Sequence, residues 1–374
     1  MEVWIRPSWY YLGRRDRVMP YPVPGWMWDR QIGQQLYADH MRFIRRIDEL
    51  GFDGVLFTEH HYGPNGGLTP SPIALLAAAS QVTERIKLVT MGIPLALYPH
   101  PVRVAEELAL VDNLSNGRLV VGLISGGAAN LYAYNLSAQE ERPLHQEAYD
   151  LIVRAWTEEN PFEWHGEHYD YQCVSILPRP VQVPHPPVWT VASSEQSLQW
   201  AARHRISLMA SGPNEEAATR LNYYQDYAEK ECGWTPTIAN RGIAREFFIG
   251  RNQAEVEAMA AEIFNQEGES SYANAARAPE LATLQRETRA VRTPVVQTVG
   301  TAEGRVRRSA DAVESGSYLV GDPEGIAKQI VHQHAVCNAG VLVIRPELGA
   351  RSLDEVAEGL ELFAKEVLPT VQKL

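Results

Sequence analysis

Gly51-Phe52-Asp53-Gly54-Val55-Leu56-Phe57-Thr58-Glu59-His60-His61 is the stretch on which the fold turns. An apolar run ends in an acid and two adjacent histidines, and the chain then reaches Gly63-Pro64-Asn65-Gly66-Gly67. A buried parallel strand delivers polar side chains to the mouth of a barrel in this way. Neighbouring side chains of a strand point to opposite faces. His60 and His61 are therefore expected to part, one toward a pocket and the other into a structural role.

Outward from this stretch, short apolar runs alternate with helical periods. Strands are expected at Val3–Ile5, Phe52–Phe57, Ile86–Met91, Leu119–Ile124, Val188–Ala192, Ile206–Ala210, Ala244–Ile249 and Val341–Ile344. Helical spacing puts Met41, Ile44, Ile47 and Leu50 on one face, and Pro72–Val82 is alanine-rich and helical. Pro101 opens another helix, Val104, Leu108, Val111 and Leu114 mark its buried stripe, and Asn116-Gly117 stops it. Further helices are read at Gln139–Thr157, Ser194–His204, Asn214–Cys232 and Leu353–Val367, with a small surface hairpin at Trp164–Tyr169. Eight strands alternating with helices, and no linker, predict an α/β fold: a single (β/α)8 TIM barrel domain over residues 1–374. A doubly wound sheet is the alternative, but no GxGxxG follows the first strand. Residues 265–316 break the rhythm as a long insertion between the seventh and eighth strands. They read as a mobile lid over the C-terminal face, a surface helical excursion being the other option.

Composition narrows the function classes. With 45% hydrophobic and 21% charged residues, a well-filled core is expected. The net charge is −12, and no basic cluster is longer than Arg305-Val306-Arg307-Arg308, which argues against nucleic acid and anionic membranes as partners. Cys173, Cys232 and Cys337 are too far apart for a zinc-type spacing and make no disulfide framework. No basic segment followed by an apolar run opens the chain, and no window approaches a membrane span, so a cytoplasmic protein is expected.

Other motifs fall in a fixed order. Gly51-Phe52-Asp53 and Glu59-His60-His61 are followed by His100-Pro101-Val102-Arg103, Ala105-Glu106-Glu107, Asp112 and Ser115-Asn116-Gly117-Arg118. Val120-Val121-Gly122-Leu123, Pro187-Val188-Trp189, Val191-Ala192-Ser193-Ser194 and Val320-Gly321-Asp322-Pro323-Glu324 come later. In this order and spacing, and over nearly its whole length, the chain resembles the bacterial luciferase-like flavin-dependent monooxygenases. The block from His100 to Arg118 is the specific part; the other motifs are weak alone. The resemblance implies a (β/α)8 barrel and reduced FMN, bound non-covalently. O2 would be the co-substrate, and a small organic substrate would be oxygenated through a flavin C4a-peroxide. It also implies a separate NAD(P)H:flavin reductase and a homodimer through the helices at Pro72–Val82 and Pro101–Leu114. Some relatives use the deazaflavin F420, so an F420-dependent dehydrogenase on the same barrel is the alternative. One departure matters. The luciferase α chain ends its fourth strand Gly-Ile-Cys-Arg-Gly, whereas this chain reads Gly122-Leu123-Ile124-Ser125-Gly126-Gly127. The cysteine is absent and Ser125 replaces the phosphate-holding arginine, so aldehyde bioluminescence is not expected and other groups must hold the phosphate.

Candidate site residues follow. His60, the first histidine of the E-H-H motif, is the expected catalytic residue, because an imidazole titrates near neutrality and can act as acid or base. Glu59 and His61 are expected to orient the loop; no metal site is expected, since adjacent strand positions face apart. Ser193-Ser194-Glu195-Gln196-Ser197 opens a helix whose free N–H groups suit a phosphate. By resemblance, Ser194 and Ser197 match contacts to the FMN phosphate, with Ser193 beside them. Ser193 and Gln196 also fit a capping box. Ser125 and Gly126 are small enough for backbone to approach a flavin closely. At Gly92 the resemblance places a bulge or a non-proline cis peptide behind the flavin ring. Trp26, Trp28 and Tyr98 either line a pocket or belong to the core.

Overall fold

Short runs rich in Val, Leu, Ile and Phe become strands buried on both faces. In the computed structural model, which describes residues 1–9, 22–63, 68–265, 287, 309–346 and 352–374, these strands close into a ring. The first are β1 (Glu2–Ile5), β2 (Gly54–Phe57), β3 (Lys87–Thr90), the two-residue β4 (Ile93–Pro94) and β5 (Leu119–Ile124). A hairpin of β6 (Phe162–His165) and β7 (Asp170–Val174) precedes β8 (Val188–Val191), β9 (Ser207–Ser211) and β10 (Arg241–Ile249). The last are β11 (Tyr318–Gly321) and β12 (Val341–Arg345). Parallel pairing runs β1-β2-β3-β5-β8-β9-β10-β12 and returns to β1, closing an eight-stranded barrel.

Alternation sorts the side chains into two layers. Trp4, Leu56, Val89, Met91, Val120, Trp189, Met209, Val341 and Val343 fill the barrel. Val3, Ile5, Val55, Phe57 and their equivalents pack against the helices. Two indoles inside one barrel need room. Trp4 and Trp189 meet edge to face at 5.2 Å. A Cβ at Gly54 would stand 2.5 Å from Trp4, and one at Gly242 2.5 Å from Met209, so neither position admits a side chain.

The helices follow the expected spans with small shifts. Helix α1 (Arg30–Glu49) is capped by Asp29, whose carboxylate accepts from the Gln31 and Ile32 amides at 2.9 and 3.1 Å. It buries Leu36, His40, Phe43, Ile44 and Ile47, while Met41 and Leu50 are only partly covered. Helix α2 is Pro72–Ser80 and α3 is Pro101–Leu114. Val104, Leu108 and Val111 of α3 are buried as expected, but Leu114 is 45% exposed. It sits one turn beyond Leu110, itself 47% exposed, on the face turned away from the barrel. The short α4 (Ala128–Ala133) precedes α5 (Ala138–Thr157), and α6 (Glu195–Arg203) and α7 (Asn214–Cys232) follow β8 and β9. Helix α5 anchors the hairpin through Glu147, which accepts from the amides of Glu167, His168 and Tyr169 at 3.1, 2.8 and 3.1 Å.

The family-like block turns out to be a set of staples. Asn116 and Gly117 take φ of 55° and 76°, ending α3 in the left-handed region. Buried Asp112 accepts from the Val181 and Gln182 amides at 2.8 and 3.0 Å and from Gln182 Nε2 at 2.8 Å. The Arg118 guanidinium donates to the carbonyls of Ser80, Thr83, Ile86 and Ser115 and to Thr83 Oγ1, at 2.8–3.1 Å. These bonds knit α2, α3, β3 and β5 together before β5 begins.

β11 is an addition to the expected strands. β10 pairs with β9 over Arg241–Ala244 and with β12 over Gly242–Glu246, and its upper part, Glu246–Ile249, pairs with β11. Phe248, Val256 and Val320, with Met259, Val313 and Tyr318, form a satellite core there. It joins β11 to α8 (Gln253–Asn265) and to the helix Ser309–Glu314. The expected insertion at 265–316 lies almost wholly outside the described residues, apart from its end at that helix. Among the described residues, no helix is long and apolar enough to cross a membrane.

Candidate active site

The alternation that fills the barrel with Trp4, Leu56, Ala244 and Val343 continues along β10 and β12 and just past the ends of β1 and β2. It turns Arg6, His60, Glu246 and Arg345 inward at the C-terminal mouth, where barrel active sites lie. The Arg6 amide donates to the Ile344 carbonyl at 3.0 Å, which sets Arg6 level with Arg345 on the adjoining strand. Arg345 Nη1 pairs with Glu246 Oε1 at 3.0 Å, and its Nε donates to Ser8 Oγ at 2.8 Å. The His60 amide donates to the Thr69 carbonyl at 3.3 Å, fixing the start of the loop after β2.

Burial, then the charges of Arg6, His61 and Arg345, push the His60 ring down to about 4. This corrects the expectation of a ring titrating near neutrality: His60 is neutral at pH 7. A neutral imidazole offers one N–H donor and one acceptor nitrogen at once.

Glu59 and His61 turn the other way. Glu59 is 3% exposed and accepts from Tyr98 Oη at 2.7 Å, while His61 Nε2 lies 3.1 Å from its other oxygen. Burial first, then Glu59, raises the Tyr98 phenol, so Tyr98 remains a donor. Tyr134 Oη stands 3.3 Å from His61 Nδ1, with the rings edge to face at 4.9 Å. Tyr134 ends α4, so this chain of contacts ties the loop after β2 to the segment after β5. His61 thus has the orienting position expected of it, and Tyr98 belongs to this network. Trp28 packs on α1 at Gly33, and Trp26 is 73% exposed.

Between β3 and β5 the backbones come unusually close. The Met91–Gly92 peptide is cis, at the position where the resemblance placed a bulge or cis bond. A Cβ at Gly92 would stand 2.8 Å from the Gly122 carbonyl oxygen, and one at Gly122 2.1 Å from the Thr90 carbonyl oxygen. Thr90 Oγ1 accepts from the Gly122 amide at 2.7 Å. The two glycines, both buried, let the β3 and β5 backbones pack directly on one another. Ser125 is partly exposed and Gly126 buried just beyond it.

Helix α6 begins at the end of β8. Its N-cap is Ser194, 2% exposed, whose Oγ accepts from the Ser197 amide at 3.3 Å and lies 2.8 Å from Ser197 Oγ. This corrects the capping-box register by one residue: Ser193 precedes the cap and is exposed, and Gln196 instead accepts from Arg142 of α5. Two hydroxyls, the first-turn amides of Glu195 and Gln196 and the Arg142 guanidinium held at Gln196 make this end suited to an anion. Sequence reading found Ser194 and Ser197 but missed Arg142, which arrives from a separate helix. It also missed Arg6 and Arg345, which close alternating apolar strands and were readable as inward polar positions, and Glu246, which lies inside β10. In the ring order, β5 and β8 stand across the barrel from β12 and β1. The anion-suited end and the Arg6–His60–Arg345 cluster thus occupy opposite arcs of one mouth.

The family model of luciferase-like monooxygenases matches residues 23–337, more than half of the chain. The oxygenase component of the flavin-dependent trigonelline monooxygenase of Acinetobacter baylyi is 26% identical over 208 residues, 54% of this chain and 57% of that protein. The monooxygenase RslO1 from Streptomyces bottropensis superposes with a TM-score of 0.74 at 25% identity, covering 99% of both chains. The oxygenating constituent of 3,6-diketocamphane monooxygenase from Pseudomonas putida, solved in complex with FMN, gives a TM-score of 0.74 at 18% identity, covering 99% of this chain and 98% of that one, a likeness of fold. The matches span 67%, 57% and 54% of the first curated relatives' lengths, so only part of each is compared. On the family match, and on a barrel fold that agrees with it, the chain belongs to the luciferase-like monooxygenases.

Proposed function

We propose that the protein is a monooxygenase that uses reduced FMN and O2 to oxygenate a small organic substrate. The observation that carries this reading is the division of the mouth. An anion-suited helix end lies at Ser194–Ser197, and a neutral imidazole at His60 lies on the opposite arc. Ser194, Ser197 and Arg142 would hold the flavin phosphate, which restores the charge lost where Ser125 replaces an arginine. Gly92, at the cis peptide, and Ser125 and Gly126, at the end of β5, would support the flat ring from behind. Bound reduced flavin supplies two electrons to O2, one oxygen atom entering the substrate and the other leaving as water. His60 would hold or move a proton at the reacting oxygen, and the apolar layer beneath the mouth, with Trp4, Leu56 and Val343, would exclude water from the barrel side. Electrons would come from a separate NAD(P)H:flavin reductase; the relative named as an oxygenase component supports this arrangement.

Replacing Ser194 and Ser197 together with alanine tests the phosphate seat. Hydrogen bonds to a charged group are worth about 1.5–3 kcal/mol each, so FMN affinity should fall at least about 100-fold. Riboflavin, which lacks the phosphate, should be far less affected. Equal weakening of both ligands would leave the serines as a helix cap only. A barrel that binds F420 and ignores reduced FMN in the same titration would instead be a hydride-transferring dehydrogenase.

A homodimer through α2 and α3 belongs to the same proposal. Leu110 and Leu114 leave an apolar strip on the outer face of α3, and Ala74 and Ala78 leave small residues outward on α2. Sedimentation of the full chain at micromolar concentration should give a dimer, and Leu110→Glu with Leu114→Glu should give a monomer. A wild-type monomer would remove the claim.

A further inference from the structure

His61 stands between two tyrosines. Its ring centroid lies 6.0 Å from that of Tyr62 and 4.9 Å from that of Tyr134, with interplanar angles of 56° and 67°. Burial first, then Tyr62 and Glu59, raises the Tyr134 phenol, so the two phenols also lie within reach of each other. In the barrel order β3 lies between β2 and β5. The contact between His61, after β2, and Tyr134, after β5, therefore spans the arc of the mouth that carries the Met91–Gly92 peptide.

Both tyrosines are held in place, and both stay open. Tyr134 is fixed through its hydroxyl, 3.3 Å from His61 Nδ1. Tyr62 is fixed through its backbone, whose carbonyl accepts from the Val23 amide at 2.9 Å. Its φ is 59°, a left-handed value that a bulky residue adopts only at a cost in free energy and that glycine takes freely. Packing within the chain returns little of that cost, for Tyr62 is 52% exposed and Tyr134 40%. The His61 side chain between them keeps only 8% of its surface open. Two oriented, half-open aromatic rings suit a third ring, since aromatic pairs favour offset or edge-to-face contact at centroid separations of about 4.5–7 Å. Resting on the flavin reading above, we infer that Tyr62 and Tyr134 form an aromatic subsite that selects substrates carrying a flat aromatic ring.

Neutral amides, matched as aromatic and saturated pairs, test this on the full chain with and without FMN. Benzamide and 2-naphthamide are titrated against cyclohexanecarboxamide and decahydro-2-naphthamide by ligand-observed NMR, with FMN affinity measured in parallel. At least one aromatic amide should bind about 5-fold or more tighter than its saturated partner, the scale of two ring contacts. Tyr62→Ala and Tyr134→Ala should each bring that ratio toward one while FMN affinity stays unchanged. Tyr62→Phe should keep the ratio, because the ring rather than the hydroxyl makes the contact. Saturated amides that bind as well as the aromatic ones, or aromatic amides that do not bind at all, would overturn the inference. So would alanine variants that weaken FMN but keep the ratio, since the tyrosines would then serve the flavin. The wild-type ratio needs no variant, so a misfolded variant does not leave the question open. The two readings also fail separately. Absent FMN binding with the aromatic preference intact removes the flavin assignment, and intact FMN binding without that preference removes the subsite.

Discussion

Replacing His60 with alanine lowers turnover about 10²–10³-fold, the usual loss when one preorganised donor to a reacting oxygen is removed. Binding of reduced FMN should survive in that variant, because the phosphate seat proposed at Ser194 and Ser197 lies on the opposite arc of the barrel. The ring's low pKa sharpens the expectation. Its folded value, about 4, lies below the ordinary 6.5, so the ring stays neutral from pH 9 down to about 5. Over that range the His60 imidazole signals, followed by NMR, should not shift. Stability linked to this group is complete above the ordinary value and is lost as pH falls through the folded one. Turnover that persists in the His60 variant and collapses for His61→Ala would move the role to the other face of the strand. An NMR midpoint near 6.5 would show that neither burial nor the arginines govern the ring.

Removing the Asp112 carboxylate has the largest expected effect on stability. Asp112→Ala strands two amides and a side-chain donor that now share its oxygens. Donors left unpaired cost about 1–3 kcal/mol each when fully buried, and these are part-buried, so the loss should reach about 2 kcal/mol. Urea unfolding at pH 7 measures it, and a change below about 1 kcal/mol would mean that water replaces the carboxylate.

The contrast between these two residues explains what the sequence could disclose. The His100–Arg118 block carries the most specific likeness, yet Asp112 and Arg118 hold helices and turns together rather than touch the candidate site. The barrel was legible because strands buried on both faces leave uninterrupted apolar runs between helical periods. β11 was not, since its four residues run directly into the Asp322-Pro323 helix start and look like part of that turn. Leu114 was misplaced because a stripe of threes and fours does not say which of two neighbouring faces meets the barrel. At the mouth, His60, Ser194 and Ser197 were legible because each stands at a strand end or helix start. Arg142 and Tyr134 come from elements far along the chain, and no local pattern announces that they meet Gln196 and His61. The His60 pKa was beyond reach for the same reason, for it depends first on burial in the closed barrel and then on charges that include arginines at the first and last barrel strands.

The satellite core on the rim has a consequence for how this chain could change over time. Phe248, Val256 and Val320 clamp α8 and β11 to the same edge of β10, so the chain leaves the barrel and returns to it at neighbouring fixed points. The rim above β10 is thereby a small packed unit of its own, in which Phe248, Val256 and Val320 can vary together while the ring of eight strands beneath keeps its pairings.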